Sequence, residues 1–95
     1  MSNGKQFIAY TISLGGIVKY VGITTTTIEI RWRRHCANKK DGALQRAIRK
    51  HGRQAFVIKH VASSWDVKSL NALEALLVAQ YGTFGWPGYN MTAGG

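Results

Sequence analysis

Residues 7–22 read Phe7-Ile8-Ala9-Tyr10-Thr11-Ile12-Ser13-Leu14-Gly15-Gly16-Ile17-Val18-Lys19-Tyr20-Val21-Gly22. Two runs rich in β-branched and aromatic residues flank Gly15-Gly16, which is a β-hairpin signature. The loop length decides what the hairpin presents. A two-residue loop pairs Leu14 with Ile17 and sends Tyr10 and Tyr20 to opposite faces. A three-residue loop, Leu14-Gly15-Gly16, pairs Ser13 with Ile17 and sets Tyr10 directly across from Tyr20. Glycine supplies the left-handed residue such a loop needs. Strand tyrosines usually fill space beside a core. A facing pair beside a basic helix and a lone acid would point to chemistry.

Outward from the hairpin, Thr24 to Thr27 is a polar break, and Thr26 with Glu29 reads as a capping box. A helix is expected from about Thr27 to Asn38. Asp41-Gly42 is a turn, and Ala43 to His51 is a shorter helix with Gly52 at its C-terminal cap. Ala55 to Ala62 reads as a third strand. After a break at Ser63 to Asp66, with Asp66 or Ser69 as cap, a long helix runs to about Tyr81 and stops at Gly82. The tail from Thr83 to Gly95 is glycine-rich and irregular. The order β-β-α-α-β-α makes an α+β domain of three strands with helices packed on them. At 95 residues the chain is one domain, residues 1–95, with no room for a second core.

Composition narrows the function. Thirteen Lys and Arg oppose four Asp and Glu, a net charge of +9. Nine of the thirteen lie between residues 31 and 53: Arg31, Arg33, Arg34, Lys39, Lys40, Arg46, Arg49, Lys50 and Arg53. Such a cluster attracts phosphate backbones and gains from counterion release. A solvated basic surface or an acidic protein partner is the alternative, and the charge density in so small a domain favours nucleic acid. No signal peptide is visible, because Met1-Ser2-Asn3-Gly4-Lys5-Gln6 is polar and no apolar run with a cleavage site follows, and no membrane span, because the longest apolar helical stretch is short and interrupted by Glu74. Cys36 is the only cysteine, so no internal disulfide can form, and a reducing cytoplasmic setting is the simplest expectation.

The carboxylates can be accounted for one by one. Glu29 belongs to the capping box, Asp41 to a turn before a helix, and Asp66 to a helix start. Glu74 has no such local role. It lies on the apolar stripe Leu70, Leu73, Leu77 and Val78, where a charge is costly unless paired or metal-bound. The structural alternative is a salt bridge to one of the arginines. In the first helix Arg31 and His35 stand four apart and share a face. Arg31 could hold a phosphate or stabilise developing charge, and His35 could donate to phosphate or shuttle a proton. On spacing alone a solvated basic face explains them better, and Arg33 and Arg34 fit that generic face. Trp32 and His60 read as packed residues and His51 as a helix-end residue. No zinc-type cluster, phosphate-binding loop or serine triad is present.

Taken together, these residues resemble the GIY-YIG nuclease family. Tyr20-Val21-Gly22 looks like its second signature, and Ile8-Ala9-Tyr10 sits where the first belongs, ten residues upstream. The helix Arg31-Trp32-Arg33-Arg34-His35 and the segment Lys50-His51-Gly52 with Phe56 are similar to the phage and intron-encoded, homing-type branch. Glu74 occupies the place of the family's metal-binding glutamate. Gly88-Tyr89-Asn90-Met91-Thr92-Ala93-Gly94-Gly95 is similar to the closing motif, whose Asn belongs to the active site. The first signature departs from the pattern, with Ile8 and Ala9 where Gly and Ile are usual.

The resemblance implies a small three-stranded antiparallel sheet flanked by helices. It implies hydrolysis of a DNA phosphodiester with one divalent ion on Glu74, normally Mg²⁺, with Mn²⁺ as a substitute. Tyr20 would take a proton from the attacking water, with Tyr10 in support and both hydroxyls facing the ion. Arg31 would stabilise the phosphoryl charge, and His35 and Asn90 would assist by hydrogen bonds. A phage or bacterial setting fits the branch. Having one active site, the protein would act twice, pair transiently, or take its specificity from a separate partner. The physics suits one ion, since two-metal nucleases need clustered carboxylates. A binding module of the same fold without catalysis is the second hypothesis.

Overall fold

The computed structural model describes residues 6–39, 42–85 and 88–90. The expected elements are present in the expected order. Strands β1 (Phe7–Leu14) and β2 (Ile17–Thr24) form the hairpin. Helices α1 (Ile28–Ala37) and α2 (Ala43–His51) follow, then a 3₁₀ turn (Arg53–Ala55), strand β3 (Phe56–Ser64) and helix α3 (Val67–Tyr81). The sheet is antiparallel throughout, in the order β2-β1-β3.

The hairpin differs from both loop readings. Its turn has two residues, with Leu14 opposite Ile17 and both Gly15 and Gly16 at positive φ (61° and 79°). Left alone, that register would put the tyrosines on opposite faces. A bulge intervenes: Ser13 still pairs with Val18, but Ile12 pairs with Tyr20, leaving Lys19 as the extra residue. Tyr10 then lies opposite Gly22. The tyrosines therefore share a face as diagonal neighbours, with ring centroids 6.3 Å apart, rather than as a directly facing pair.

Each face of the sheet has its own packing. On one, Tyr10, Ile12 and Phe56 are buried with Leu44, Ala47 and Ile48 of α2, and Trp32 of α1 packs against them. Trp32 meets Phe56 at 5.7 Å, as expected of a core residue. On the other, α3 lays Leu77 and Val78 on Val21, with Leu73 partly covered. Leu70 is also buried, so the apolar stripe of α3 does what its spacing predicts.

Several local expectations need correction. Thr27, not Thr26, caps α1, its Oγ1 accepting from the Ile30 N–H at 3.2 Å. The Thr26 hydroxyl turns back to Thr24 Oγ1 at 2.9 Å. Glu29 therefore makes no capping box; it is exposed in the first turn, where a carboxylate suits the helix dipole. Asp66 caps α3, accepting from Lys68 N–H and the Ser69 hydroxyl. His60 is exposed rather than packed, since β3 is an edge strand whose middle faces solvent. Asp41, the expected turn residue, lies outside the described residues, as does Lys40 of the basic cluster.

Candidate active site

Tyr10 is fully buried and sits at the centre of a polar network. Its Oη lies 2.8 Å from His35 Nε2 and accepts from Arg31 Nε at 3.2 Å. The helical spacing of Arg31 and His35 brings both to the same hydroxyl. His35 is itself buried, and burial followed by the Arg31 charge holds its pKa down to about 4. The imidazole is therefore neutral near pH 7. The arrangement that satisfies both partners has Tyr10 donating to Nε2 while it accepts from Arg31. Burial is also the main cause that pushes the Tyr10 hydroxyl well above its ordinary range. Tyr10 thus ties α1 to the sheet, and its hydroxyl faces Arg31 and His35.

Gly22 explains how a tyrosine fits there. A Cβ at Gly22 would sit 2.5 Å from Tyr10 Oη and 2.6 Å from Cζ. The glycine of the Tyr20-Val21-Gly22 triplet leaves the room in which the Tyr10 ring lies.

A cleft of about 300 Å³ opens above this network. Tyr20 of β2, Arg31 and His35 of α1, Glu74 of α3 and Asn90 line it, together with Asn38, Gln45 and Tyr89. Five of the six residues expected in the site thus meet in one cavity, and Tyr10 supports it from beneath. Glu74 is half-buried at the border of its stripe, which lowers the desolvation cost expected from sequence. Tyr20 is raised above its ordinary pKa: burial outweighs the opposing charge of Arg31, and Glu74 adds to the rise. Burial works against the Arg31 charge, but its contacts with Tyr10 and Tyr20 more than offset this, so Arg31 remains a cation.

Asn90 contributes in a way that spacing could not reveal. Its Oδ1 accepts from Val21 N–H at 2.8 Å and its Nδ2 donates to Val21 C=O at 2.9 Å. One residue earlier, Tyr89 N–H donates to Lys19 C=O at 2.7 Å. The bulged residue therefore provides the docking carbonyl, and residues 19 and 21 are pinned on either side of Tyr20. The closing segment is tied in turn to residues 83–85. Asn90 N–H donates to Thr83 C=O, and Gly85 N–H donates to Asn90 C=O. Gly88 lies so close to the Thr83 backbone that a Cβ would collide with it. Tyr89, Thr83 and Val21 were not singled out from sequence. The signal available was the closing motif, whose glycine marks a tight backbone approach.

Of the residues expected to contact nucleic acid, Arg33, Arg34, Lys39, Arg46, Arg49, Lys50 and Arg53 are exposed on α1, α2 and the turns after them. Cys36 is partly buried against the core, and burial raises its thiol, which disfavours the reactive thiolate.

A family model described as the GIY-YIG catalytic domain matches residues 8–90. The chain belongs to the GIY-YIG family. No curated protein and no solved structure matches it. GIY-YIG domains are nuclease domains, so membership carries phosphodiester hydrolysis as the general activity. The three-stranded antiparallel sheet and the order β-β-α-α-β-α agree with that fold. Among the described residues, no helix is long and apolar enough to cross a membrane. No group of three or more His, Cys, Asp or Glu there could hold a metal. Glu74 is the carboxylate that lines the cleft.

Proposed function

We propose that this GIY-YIG protein is a DNA endonuclease that hydrolyses a phosphodiester bond in the Tyr20–Arg31–Glu74 cleft. A single divalent cation on Glu74, Mg²⁺ or Mn²⁺, is part of the reading. The observation that supports it is the convergence of Tyr20, Arg31, His35, Glu74 and Asn90 on one cavity from separate elements. The donor set fits the ion. One carboxylate oxygen, with waters and phosphate oxygens completing the shell, is how Mg²⁺ is commonly held. When bound, such an ion would act as a Lewis acid on the phosphate.

Each side chain has a role that follows from its surroundings. Arg31, charged and fixed by Tyr10, faces the cleft where phosphoryl charge develops. Tyr20 is protonated at neutral pH, so it takes a proton from the attacking water only as it passes its own to a phosphate oxygen of the substrate, in concert with attack. His35 is a neutral acceptor that holds Tyr10, which makes Tyr10 a positioning residue for Arg31. Asn90 positions Tyr20 through Val21. The exposed cations from Arg33 to Arg53 hold the phosphate backbone, and Lys40 shares that role by sequence.

The test is plasmid cleavage with Mg²⁺ by the wild type and Glu74→Ala. The variant is expected to lose at least about a hundredfold in rate, the scale of removing one key electrostatic group. It should still bind DNA, with an affinity that falls steeply as salt rises. Equal nicking by both proteins would overturn the mechanism. Binding without cleavage by the wild type would support a non-catalytic module instead.

A further inference from the structure

A second cavity, of about 410 Å³, adjoins the first. The two share Ala43, Tyr89 and Asn90 as lining residues, so they are immediate neighbours. The additional walls are Phe84, Gly85 and Gly88 on the closing segment and Arg46 on α2. Phe84 is 58% exposed, which is unusual for a phenylalanine whose backbone is well held. It forms a parallel bridge with Asn90, and the Gly85 and Gly88 amides tie the loop on either side. The ring is thus displayed to solvent from a fixed backbone that lines this cavity. Arg46, an exposed cation of α2, lines the same cavity.

We infer that this second cavity receives an unpaired nucleobase flanking the scissile phosphate, stacked on Phe84, with the adjoining phosphate at Arg46. The inference rests on the nuclease reading of the neighbouring cleft. Its volume is within the range of small-ligand sites. An aromatic face beside a cation is the usual platform for single-stranded bases, because every base has a π-face. A base inside an intact duplex has both faces covered, so it could enter only if extruded or unpaired. The implied substrate class is DNA carrying an unpaired nucleotide at the cut, such as a bulge or flap.

The experiment uses the full chain carrying Glu74→Gln, in EDTA, so that nothing is cut. The probe is a duplex bearing one unpaired 2-aminopurine, compared with the same duplex fully paired. We expect on the order of tenfold tighter binding to the unpaired probe, the scale of one base–aromatic stack, with quenched 2-aminopurine fluorescence. Adding Phe84→Ala should abolish the preference and the quenching while leaving affinity for the paired duplex unchanged. Phe84→Trp should retain both. Because the ring is exposed, thermal melting of these variants should match the parent. Equal affinity for the two probes, or quenching that survives Phe84→Ala, would overturn the inference. Plasmid cleavage by the wild type separates the two claims. Cutting without unpaired-base preference removes only this inference, whereas preference without cutting removes the nuclease reading and leaves the second cavity as a base-binding site with no scissile phosphate beside it.

Discussion

The two walls of the cleft are held by different means. On the α1 side, Arg31 and His35 are fixed by side chains that converge on one buried hydroxyl, Tyr10 Oη. On the side of the closing segment, residues 89 and 90 are fixed by bonds to the backbone of an edge strand, at Lys19 and Val21. Tyr20 lies between the two. The first wall depends on desolvation and titration state, the second on hydrogen-bond pairing that does not titrate. Chemical identity matters most in the former, and geometry in the latter.

That contrast can be broken first with acid. Unfolded His35 takes a proton near pH 6.5, whereas folded His35 does so only near 4. Between those values the unfolded state binds more protons, so stability rises with pH there. The contribution is complete above about 6.5 and is lost as pH falls toward 4. A shift of this size is worth roughly 3 kcal/mol. Urea unfolding of wild type and His35→Gln between pH 4 and 7 checks it: the wild type should lose stability with acid more steeply. Parallel curves would mean that His35 is not held neutral.

Gly22→Ala attacks the same wall sterically. The added methyl meets a tyrosine that is fully buried and hydrogen-bonded at its tip, so the ring cannot simply swing away. A loss of about 2–3 kcal/mol is expected, together with a drop in cleavage as Arg31 loses its support. An unchanged melting temperature would show that the ring has space to move.

For the closing wall, Asn90→Ala removes both bonds to Val21 and should cost about 2 kcal/mol. Asn90→Asp sharpens the point, because it keeps the acceptor for Val21 N–H but sets an oxygen against Val21 C=O. Its melting temperature should be no higher than that of the alanine variant. If aspartate restored stability, the donated bond would carry little weight.

The smallest effect belongs to Thr83, which is fully buried and whose Oγ1 has no hydrogen-bond partner among the described residues. Thr83→Val replaces that hydroxyl with a methyl of similar size. It should leave stability within about 1 kcal/mol of wild type or raise it. A large loss would reveal a partner outside the described residues.

Legibility in the sequence followed the same division. The strands, α2 and the apolar stripe of α3 could be read because each repeats a short period. Glu74 could be singled out because the other acids had local roles, although Glu29 has a different one from that expected. The Arg31–His35 pairing followed from helical spacing, but spacing did not reveal the shared Tyr10 hydroxyl, which requires the sheet register. The bulge at Lys19 and the Asn90 clip on Val21 were hidden for a stronger reason. Neither has a periodic signature, and the clip joins residues 69 apart in sequence. The Thr26 capping box failed because the Thr26 hydroxyl is engaged by Thr24, and Thr27, one residue on, takes the cap by accepting from Ile30 N–H.

The extra residue at Lys19 makes the hairpin a matter of odd and even counting. A two-residue turn plus one bulged residue leaves three residues unpaired between the strands. A three-residue turn with no bulge leaves three as well. Both place Tyr10 and Tyr20 on one face, and differ only by a slide of two residues, roughly 7 Å along the strand. A single deletion in either device reverses the face and sends Tyr20 toward α3. A compensating change in the other restores it. The turn can therefore be rewritten freely so long as the total stays odd, and the bulge is where this chain keeps the odd residue.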